Sequence, residues 1–186
     1  MEKRNLTLLT DLYELTMMNG YYLKGMTDEV AVFDVFFRRK ELITYSLAAG
    51  LEQVVDYVLG LNFGEEEIAY LKKLNIFDEG FLNYLKNLKF SGDIYSVPEG
   101  TMVFPGEPIL TVKAPVIEAQ LIETAILNMI NHQTLIATKS AKVCRAAQGD
   151  NVMEFGLRRA QGPDAGIYGA RAAIIGGCNS TSNVLA

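Results

Sequence analysis

The segment from residue 151 to residue 186 most constrains the fold, because it has the pattern of a strand, a helix and a second strand. Residues 152–155 are mostly apolar and the run ends at Gly156, which predicts a short buried strand. Pro163 suits the first position of a helix rich in alanine, and two glycines end that helix. Cys178 begins a second predicted strand that continues into a polar run. The link between the strands is long enough for a parallel crossover connection.

Polar and aromatic side chains follow the predicted strands, where parallel units bind their ligands. Arg158 and Arg159 come directly after the first strand, and the polar residues 179–183 lie along the second. A pair of arginines suits bidentate binding of phosphate or carboxylate, and Phe155 offers an aromatic face to a flat ligand. We therefore expect a planar, anionic small molecule beside a phosphate. The alternative is that the two arginines only solvate the end of a strand.

Three motifs carry a resemblance that covers essentially the whole chain in order. They are LLTDLYELTM at residues 8–17, EFGLRRAQGPD at 154–164 and GGCNSTSNVLA at 176–186. Through them the chain resembles the nicotinate phosphoribosyltransferase family. The resemblance implies synthesis of nicotinate mononucleotide from nicotinate and phosphoribosyl pyrophosphate, with ATP hydrolysis and Mg²⁺. It also implies an N-terminal domain followed by an irregular α/β barrel.

The same resemblance suggests roles for five residues. Tyr13 would stack on the pyridine ring from the neighbouring subunit of a homodimer, opposite Phe155. Arg38 would reach phosphoribosyl pyrophosphate across the dimer interface. Arg158 is the candidate catalytic residue, near the base or its carboxylate and the phosphate. Ser182 lies near the position where a related enzyme that uses nicotinamide has Asp, so a neutral hydrogen-bond donor here favours the acid over the amide.

Residue types alone leave simpler interpretations of two of these positions open. Tyr13 lies off the apolar stripe of its helix, and such a tyrosine is usually a surface residue. Arg38 follows a predicted strand at residues 30–37 and is itself followed by Arg39 and Lys40. These charges could serve only to solvate the strand end and discourage edge pairing.

Two alternatives to the main functional hypothesis remain open. The family continues after its NSTSN strand into a Gly-Thr-x-Ala-His segment whose histidine becomes phosphorylated, whereas this sequence ends at Ala186. We therefore expect the chain alone to be inactive, or to work only with a second polypeptide that carries the rest. The first alternative is accordingly a non-catalytic dimerisation and binding fragment. The other alternative is a nicotinamide or quinolinate phosphoribosyltransferase. Quinolinate has a second carboxylate and should require a denser basic cluster than this sequence shows.

Composition excludes several classes of function. The formal net charge of −5 argues against a nucleic-acid groove, although a local arginine cluster is enough for a phosphate site. Cys144 and Cys178 are far apart in a sequence without a signal-peptide pattern, which indicates a reducing, cytoplasmic location. Polar residues interrupt every long apolar stretch, so no membrane span is expected.

The fold class predicted for the whole chain is α/β. An N-terminal α+β domain with a small β-meander is expected at residues 1–115, and a helical linker and the start of an incomplete α/β barrel at 116–186. Helices are predicted at 51–59, 65–74, 78–88 and 116–149, the last with a possible break at 131–133, and the meander strands at 94–97, 102–104 and 109–112.

The sequence also indicates how the first helix begins and what its single histidine does. Thr10 or Asp11 is expected to cap the first helix, with Glu14 completing a capping box. His132 is the single histidine, and it is interpreted as structural because no zinc-ligand spacing surrounds it. The sequence also has no P-loop motif, so ATP would need another kind of site.

Overall fold

The computed structural model describes residues 4–38 and 44–186, and these have the mixed α/β architecture that the sequence predicts. Arg39 and Lys40 lie outside the described residues. The helices are α1 Leu12–Leu23, α2 Leu51–Leu59, α3 Glu65–Lys73, α4 Glu79–Asn87, α5 Val116–Ala146 and α6 Pro163–Ile175, with a short 3-10 helix at Leu157–Arg159. The strands are β1 Val30–Val35, β2 Ser46–Leu47, β3 Asp93–Ser96, β4 Met102–Val103, β5 Leu110–Pro115, β6 Met153–Glu154 and β7 Ser180–Thr181.

Within the described residues the strands form three small sheets, and their pairing differs from the predicted meander. A meander would join β3, β4 and β5 in sequence order, but the three-stranded sheet has the order β1-β5-β3. Strand β4 instead pairs antiparallel with β2, with Ser46 opposite Val103 and Leu47 opposite Met102. The β-meander prediction is therefore wrong, although the predicted positions of the strands are close to those observed.

Hydrogen bonds around Glu99 explain why the chain leaves the three-stranded sheet after β3. The Glu99 carboxylate accepts hydrogen bonds from the backbone N–H groups of Gly50, at 2.6 Å, and Leu51, at 3.1 Å. Ala48 exchanges backbone hydrogen bonds with Gly100, at 2.8 Å, and Thr101, at 2.9 Å. These contacts hold the turn after β3 against the segment after β2, so β4 continues alongside β2.

The chain divides into two compact units, each made of segments that are discontinuous in sequence. The first unit contains the described residues of Met1–Asp34, Glu52–Tyr95 and Thr111–Leu127, and the second contains those of Val35–Leu51, Ser96–Leu110 and Asn128–Ala186. The predicted domains, 1–115 and 116–186, are continuous in sequence. The predicted division into domains 1–115 and 116–186 stays a prediction.

Each unit has its own apolar core. In the first unit Met18 and Phe81 are fully buried, and Phe81 contacts the ring of Tyr22 with the ring centroids 5.9 Å apart. In the second unit the small side chains of Ala49, Ala137 and Ala172 form a buried cluster. Small residues let the backbones of neighbouring segments approach closely, which suits the alanine-rich composition of α6.

Helix α5 is continuous, so the predicted break at 131–133 is wrong. No glycine or proline occurs in its 31 residues, and these are the residue types that usually interrupt a helix. Gln133 is fully buried, and Thr134 and Thr138 donate or accept hydrogen bonds with the backbone of the segment 47–49. The polar residues in the middle of α5 therefore have partners inside the second unit and do not mark a helix end.

The start of α1 also differs in part from the prediction. Asp11 is the N-cap residue, as expected, but its side chain makes no capping hydrogen bond. The carboxylates of Asp11 and Glu14 both accept from the Thr124 hydroxyl, each at 2.9 Å, and Glu14 also accepts from the Thr10 hydroxyl. The predicted capping box therefore does not form, because these carboxylates are engaged with α5 and with Thr10.

None of the helices in the described parts of the chain combines the length and the apolar character that crossing a membrane would require.

Candidate active site

The segment 151–186 folds as the predicted strand, helix and strand with a parallel crossover. Strand β6 pairs in parallel with β7, with Met153 opposite Ser180 and Glu154 opposite Thr181. Helix α6 between them begins at Pro163, after Gly162 in a positive-φ conformation that suits glycine. This unit brings the ends of two neighbouring strands to the same edge, which is the arrangement that forms ligand sites in parallel sheets.

Phe155 and Ser182 lie side by side at this edge. They directly follow the paired residues Glu154 and Thr181, and the Ser182 backbone N–H donates to the Glu154 carbonyl oxygen at 3.0 Å. Phe155 is 60% exposed, and Ser182 is half-buried. The structure therefore places the exposed ring of Phe155 next to Ser182, the hydroxyl-bearing residue that follows β7.

The prediction that β6 is a buried strand is wrong. Met153 on this strand is 55% exposed, and Phe155 just after it is similarly open. The strand has only two residues, and among the described strands it pairs with β7 alone. Its apolar side chains consequently have little of the described chain to pack against.

Arg158 lies in the 3-10 helix Leu157–Arg159, one short turn beyond Phe155. The turn is closed by the Arg159 backbone N–H, which donates to the Gly156 carbonyl oxygen at 2.8 Å. Arg158 is exposed, and within the described parts of the chain its guanidinium makes no hydrogen bond or ion pair. Its donors are thus available to an anionic ligand, as the sequence-based hypothesis requires.

Glycine in α6 supports the position of this turn. A Cβ atom on Gly166 would lie 2.6 Å from Leu157 Cδ1, so the side chain of Leu157 can take this position only because residue 166 is glycine. Asn183 Nδ2 donates to the Gly166 carbonyl oxygen at 3.2 Å. The segments after β6 and after β7 therefore both contact the first turn of α6.

The other two predicted site residues lie elsewhere. Tyr13 is exposed on α1 in the first unit, and the negative charge of Glu14, with smaller effects of desolvation, Glu123 and Asp11, raises the pKa of its hydroxyl. Arg38 is exposed in the second unit, just beyond β1. Their predicted roles across a dimer interface stay predictions.

Glu154 is a residue of this segment to which the sequence reasoning gave no role. It lies inside the motif EFGLRR, and its carboxylate accepts hydrogen bonds from the Gly156 backbone N–H and from the Thr181 hydroxyl, the latter at 2.6 Å. The signal that could have identified it is a charged residue between the apolar residues of a predicted strand. Carboxylates in such positions usually have specific partners.

The side chains that most often bind metal ions do not cluster in the described residues. Within residues 4–38 and 44–186, no three His, Cys, Asp or Glu side chains come together in a way that could hold a metal. His132 Nε2 lies 3.2 Å from the Ala165 carbonyl oxygen, in agreement with its predicted structural role. Mg²⁺ and ATP stay expectations drawn from the resemblance.

The fold is that of an α/β protein with a candidate small-ligand site at the end of a parallel strand pair, and comparison with known proteins identifies the family. The nicotinate phosphoribosyltransferase (NAPRTase) N-terminal domain matches residues 8–131. The nicotinate phosphoribosyltransferase of Bacillus subtilis is 47% identical over 184 residues, covering 98% of this chain and 37% of that protein. A nicotinate phosphoribosyltransferase of Mycobacterium tuberculosis is 44% identical, covering 96% of this chain and 39% of that protein.

A solved structure agrees with this result. The crystal structure of human nicotinic acid phosphoribosyltransferase superimposes with a TM-score of 0.87 at 36% identity, covering 95% of this chain and 36% of the human one. The chain belongs to the nicotinate phosphoribosyltransferase family. It spans little more than a third of the length of these relatives.

Proposed function

We propose that this chain is the N-terminal part of an enzyme that forms nicotinate mononucleotide and pyrophosphate from nicotinate and phosphoribosyl pyrophosphate, coupled to ATP hydrolysis, in NAD biosynthesis. The observation that carries the proposal is the placement of Phe155 and Ser182 at the ends of two paired parallel strands, with Arg158 in the following turn. Membership of the family supports the substrates. The remaining part of such an enzyme would supply the rest of the barrel.

The proposed reaction needs placement of the reactants more than proton transfer. The pyridine nitrogen of nicotinate attacks the C1 carbon of the ribose, and the bond from C1 to the pyrophosphate oxygen breaks. Positive charge develops on the ribose ring in the transition state. Because the nucleophile and the leaving group need no proton, correct orientation and charge stabilisation supply most of the rate.

Each candidate residue has a part in that placement. Phe155 presents an exposed ring on which the pyridine can stack. Arg158 has unengaged donors for the carboxylate of nicotinate or a nearby phosphate, and its loss would reduce transition-state stabilisation by about 2–4 kcal/mol. In a homodimer with shared active sites, Tyr13 of the neighbouring subunit would cover the other face of the pyridine and Arg38 would contact phosphoribosyl pyrophosphate.

The proposal includes the cytoplasm as the place of action. Cys144 and Cys178 are free thiols, which suits a reducing compartment. The net charge of −5 makes a nucleic-acid partner a poor match.

The alternative is a fragment that binds or dimerises without catalysis. Phe155, Val184 and Leu185 are exposed apolar residues in one segment of the second unit, and such residues favour association with another surface. Both proposals predict that the isolated chain is inactive, and they differ in a completed enzyme, where only the main proposal predicts transferase activity that depends on this segment.

A chimera tests the proposal directly. Residues 1–186 would replace the aligned segment of the Bacillus subtilis relative, which matches 98% of this chain. The chimera should form nicotinate mononucleotide from nicotinate, and it should use nicotinamide and quinolinate far less well. The isolated chain should be inactive under the same conditions.

Two neighbouring arginines provide a matched pair of variants in the chimera. Arg158→Ala should lower kcat/KM for nicotinate roughly 30- to 1,000-fold, which corresponds to the free energy given above. Arg159→Ala removes the same charge one residue away and should have a much smaller effect. A chimera that folds but lacks transferase activity, or equal effects of the two variants, would overturn the proposal.

A further inference from the structure

Glu154 uses all three of its oxygen atoms as acceptors at the junction between β6 and β7. Its carbonyl oxygen accepts from the Ser182 backbone N–H at 3.0 Å. One carboxylate oxygen accepts from the Gly156 backbone N–H, and the other accepts from the Thr181 hydroxyl at 2.6 Å. A single side chain therefore joins the segment that carries Phe155 to the strand that leads to Ser182.

The contacts of Glu154 continue through β7 to α6. Thr181 Oγ1, which donates to Glu154, also accepts from the Asn183 backbone N–H at 3.0 Å. The Asn183 side chain in turn donates to the Gly166 carbonyl oxygen at 3.2 Å. Since Gly166 receives the side chain of Leu157, the contacts form a closed ring around the turn that carries Arg158.

We propose that Glu154 is a positioning residue of the nicotinate site, which holds Phe155 and Arg158 in register with Ser182. This inference rests on the function proposed above. Charge-assisted hydrogen bonds from a backbone N–H and a hydroxyl are among the stronger ones in proteins, and their fixed directions orient the backbone on both sides. A site built on such a support keeps its reactants in the geometry that transfer requires.

In this proposal Glu154 supports the site and does not itself bind the substrate. Both carboxylate oxygens already have donors, and the ionised carboxylate has no hydrogen to donate to nicotinate. A free carboxylate at this place would repel the carboxylate of nicotinate. The Glu154 carboxylate is instead engaged by the Gly156 N–H and the Thr181 hydroxyl, and these donors offset its negative charge.

Kinetic variants in the chimera test the inference. Glu154→Ala removes both side-chain contacts, and Thr181→Val removes the hydroxyl while keeping the shape of the side chain. Each should raise the KM for nicotinate about tenfold with a smaller change in kcat, because the binding residues lose their alignment. Thr181→Ser keeps the hydroxyl and should restore wild-type kinetics.

A matched control and a double variant separate this role from a general effect. Glu107 also accepts from a backbone N–H, that of Phe104 at 2.8 Å, and it lies outside the β6–β7 unit, so Glu107→Ala should leave nicotinate kinetics unchanged. The double variant Glu154→Ala/Thr181→Val should be no worse than about the stronger single variant, because both changes break the same contact.

Amide hydrogen exchange in the 186-residue chain gives a readout that does not depend on activity. Loss of the Glu154 carboxylate should accelerate exchange of the Gly156 N–H about tenfold or more, while exchange within α6 stays unchanged. If Glu154→Ala does not fold, the inference is still tested by comparing the nicotinate kinetics of Thr181→Val with those of Thr181→Ser.

The outcomes distinguish the inference from the proposed function. An active chimera in which Thr181→Val keeps the wild-type KM for nicotinate, or a chain in which Gly156 exchange does not respond to Glu154→Ala, would overturn the positioning role. A chimera without activity, together with accelerated Gly156 exchange in the variant, would overturn the proposed function and leave the structural contact in place.

Discussion

Glu99 and Arg171 form a two-point ion pair, with Arg171 Nη1 2.9 Å from Glu99 Oε1 and Arg171 Nη2 2.6 Å from Glu99 Oε2. The two side chains are 20% and 28% exposed, respectively. Arg171 Nη1 also donates to the Gln133 side-chain oxygen at 3.2 Å. Because Glu99 accepts from the N–H groups of Gly50 and Leu51 as well, this pair links α6 to the turn between β3 and β4 and to the start of α2.

Removing the charge of Glu99 should destabilise the chain. Glu99→Gln keeps the size of the side chain but weakens several charge-assisted hydrogen bonds, so we expect a loss of about 1–3 kcal/mol in the free energy of unfolding, measured by urea titration. The control is Glu79→Gln, which removes an ion pair with Lys72 whose side chains are 80% and 68% exposed. That change should cost less than about 1 kcal/mol, and equal effects would contradict the importance of the Glu99 contacts.

The contribution of Glu99 should also depend on pH in one direction. Burial alone would raise the pKa of the Glu99 carboxyl, but hydrogen bonds from Arg171, Gly50 and Leu51 and the charge of Arg171 together lower this pKa below its usual value. A carboxyl group with a lowered pKa in the folded state stabilises the fold above its unfolded-state pKa, and this stabilisation is lost as the pH falls through the folded-state value. The stability difference between wild type and Glu99→Gln should therefore shrink as the pH is lowered from about 6 to about 3. A difference that grew on acidification would contradict the assignment.

Gly176, at the C-terminal end of α6, packs tightly against α5. A Cβ atom on Gly176 would lie 2.4 Å from the Ala137 carbonyl oxygen and 2.7 Å from Ser140 Cβ, and the φ of −73° at this residue allows any amino acid. Gly176→Ala should therefore destabilise the chain by about 1–3 kcal/mol through steric overlap alone. Thermal or urea unfolding would measure this loss.

The control for that prediction is a glycine in an open position of a helix. Gly20 lies within α1, and a Cβ atom there would meet nothing within 4 Å. Gly20→Ala should stabilise the chain by up to about 1 kcal/mol because alanine has the higher helix propensity. Destabilisation of similar size in both variants would show that steric overlap at Gly176 is not the cause.

The helices could be predicted well because their signals are local. The ends of α2, α3 and α4 agree with the predicted ranges to within one residue, since apolar periodicity and acidic first turns mark each helix. The pairing of β4 with β2 could not be predicted in this way. It depends on Glu99 reaching Gly50, which is 49 residues away in the sequence, and no local pattern records such a contact.

The candidate site was predictable to a similar extent. The order of strand, basic pair, helix and polar strand indicated the parallel unit that brings Phe155 and Ser182 together. The exposure of Met153 and Phe155 was not predictable, because burial depends on what packs against β6 and not on the apolar character of the strand. The role of Glu154 also stayed hidden, since its partners include Thr181 on the other strand.

The two cysteines should differ in reactivity. Burial raises the pKa of the Cys178 thiol, and the neighbouring Cys144, whose Sγ lies 3.9 Å away, raises it further. Fewer thiolates form at a given pH, so Cys178 should react with iodoacetamide after the more exposed Cys144, as followed by peptide mass spectrometry. Both should react at similar rates in urea.

A variant tests whether burial is the main cause of this difference. Cys144→Ala removes the neighbouring thiol but leaves Cys178 buried, and Cys178 should remain slow to react. Rapid labelling of Cys178 in the folded variant would show that Cys144, and not burial, protects it.

Ser182 should decide between the acid and the amide of the pyridine substrate. It is half-buried, directly follows β7 and is held beside β6 by its N–H bond to Glu154, so a carboxylate introduced here would face the same edge as Phe155. In the chimera described above, Ser182→Asp should lower kcat/KM for nicotinate about tenfold or more, because two negative charges at close range repel each other by about 1–4 kcal/mol. The amide of nicotinamide carries no charge and can donate to the new carboxylate, so its relative use should rise.

Ser182→Asn is the matched control, because asparagine has the size of aspartate without its charge. If charge is the cause, Asn should affect nicotinate much less than Asp, and raising the ionic strength should reduce the difference between the two variants only in part, since the position is half-buried. Steady-state kinetics with both substrates would measure these effects. Equal losses for Asp and Asn would attribute the effect to side-chain size, and unchanged nicotinate kinetics in Ser182→Asp would remove residue 182 from the pyridine site.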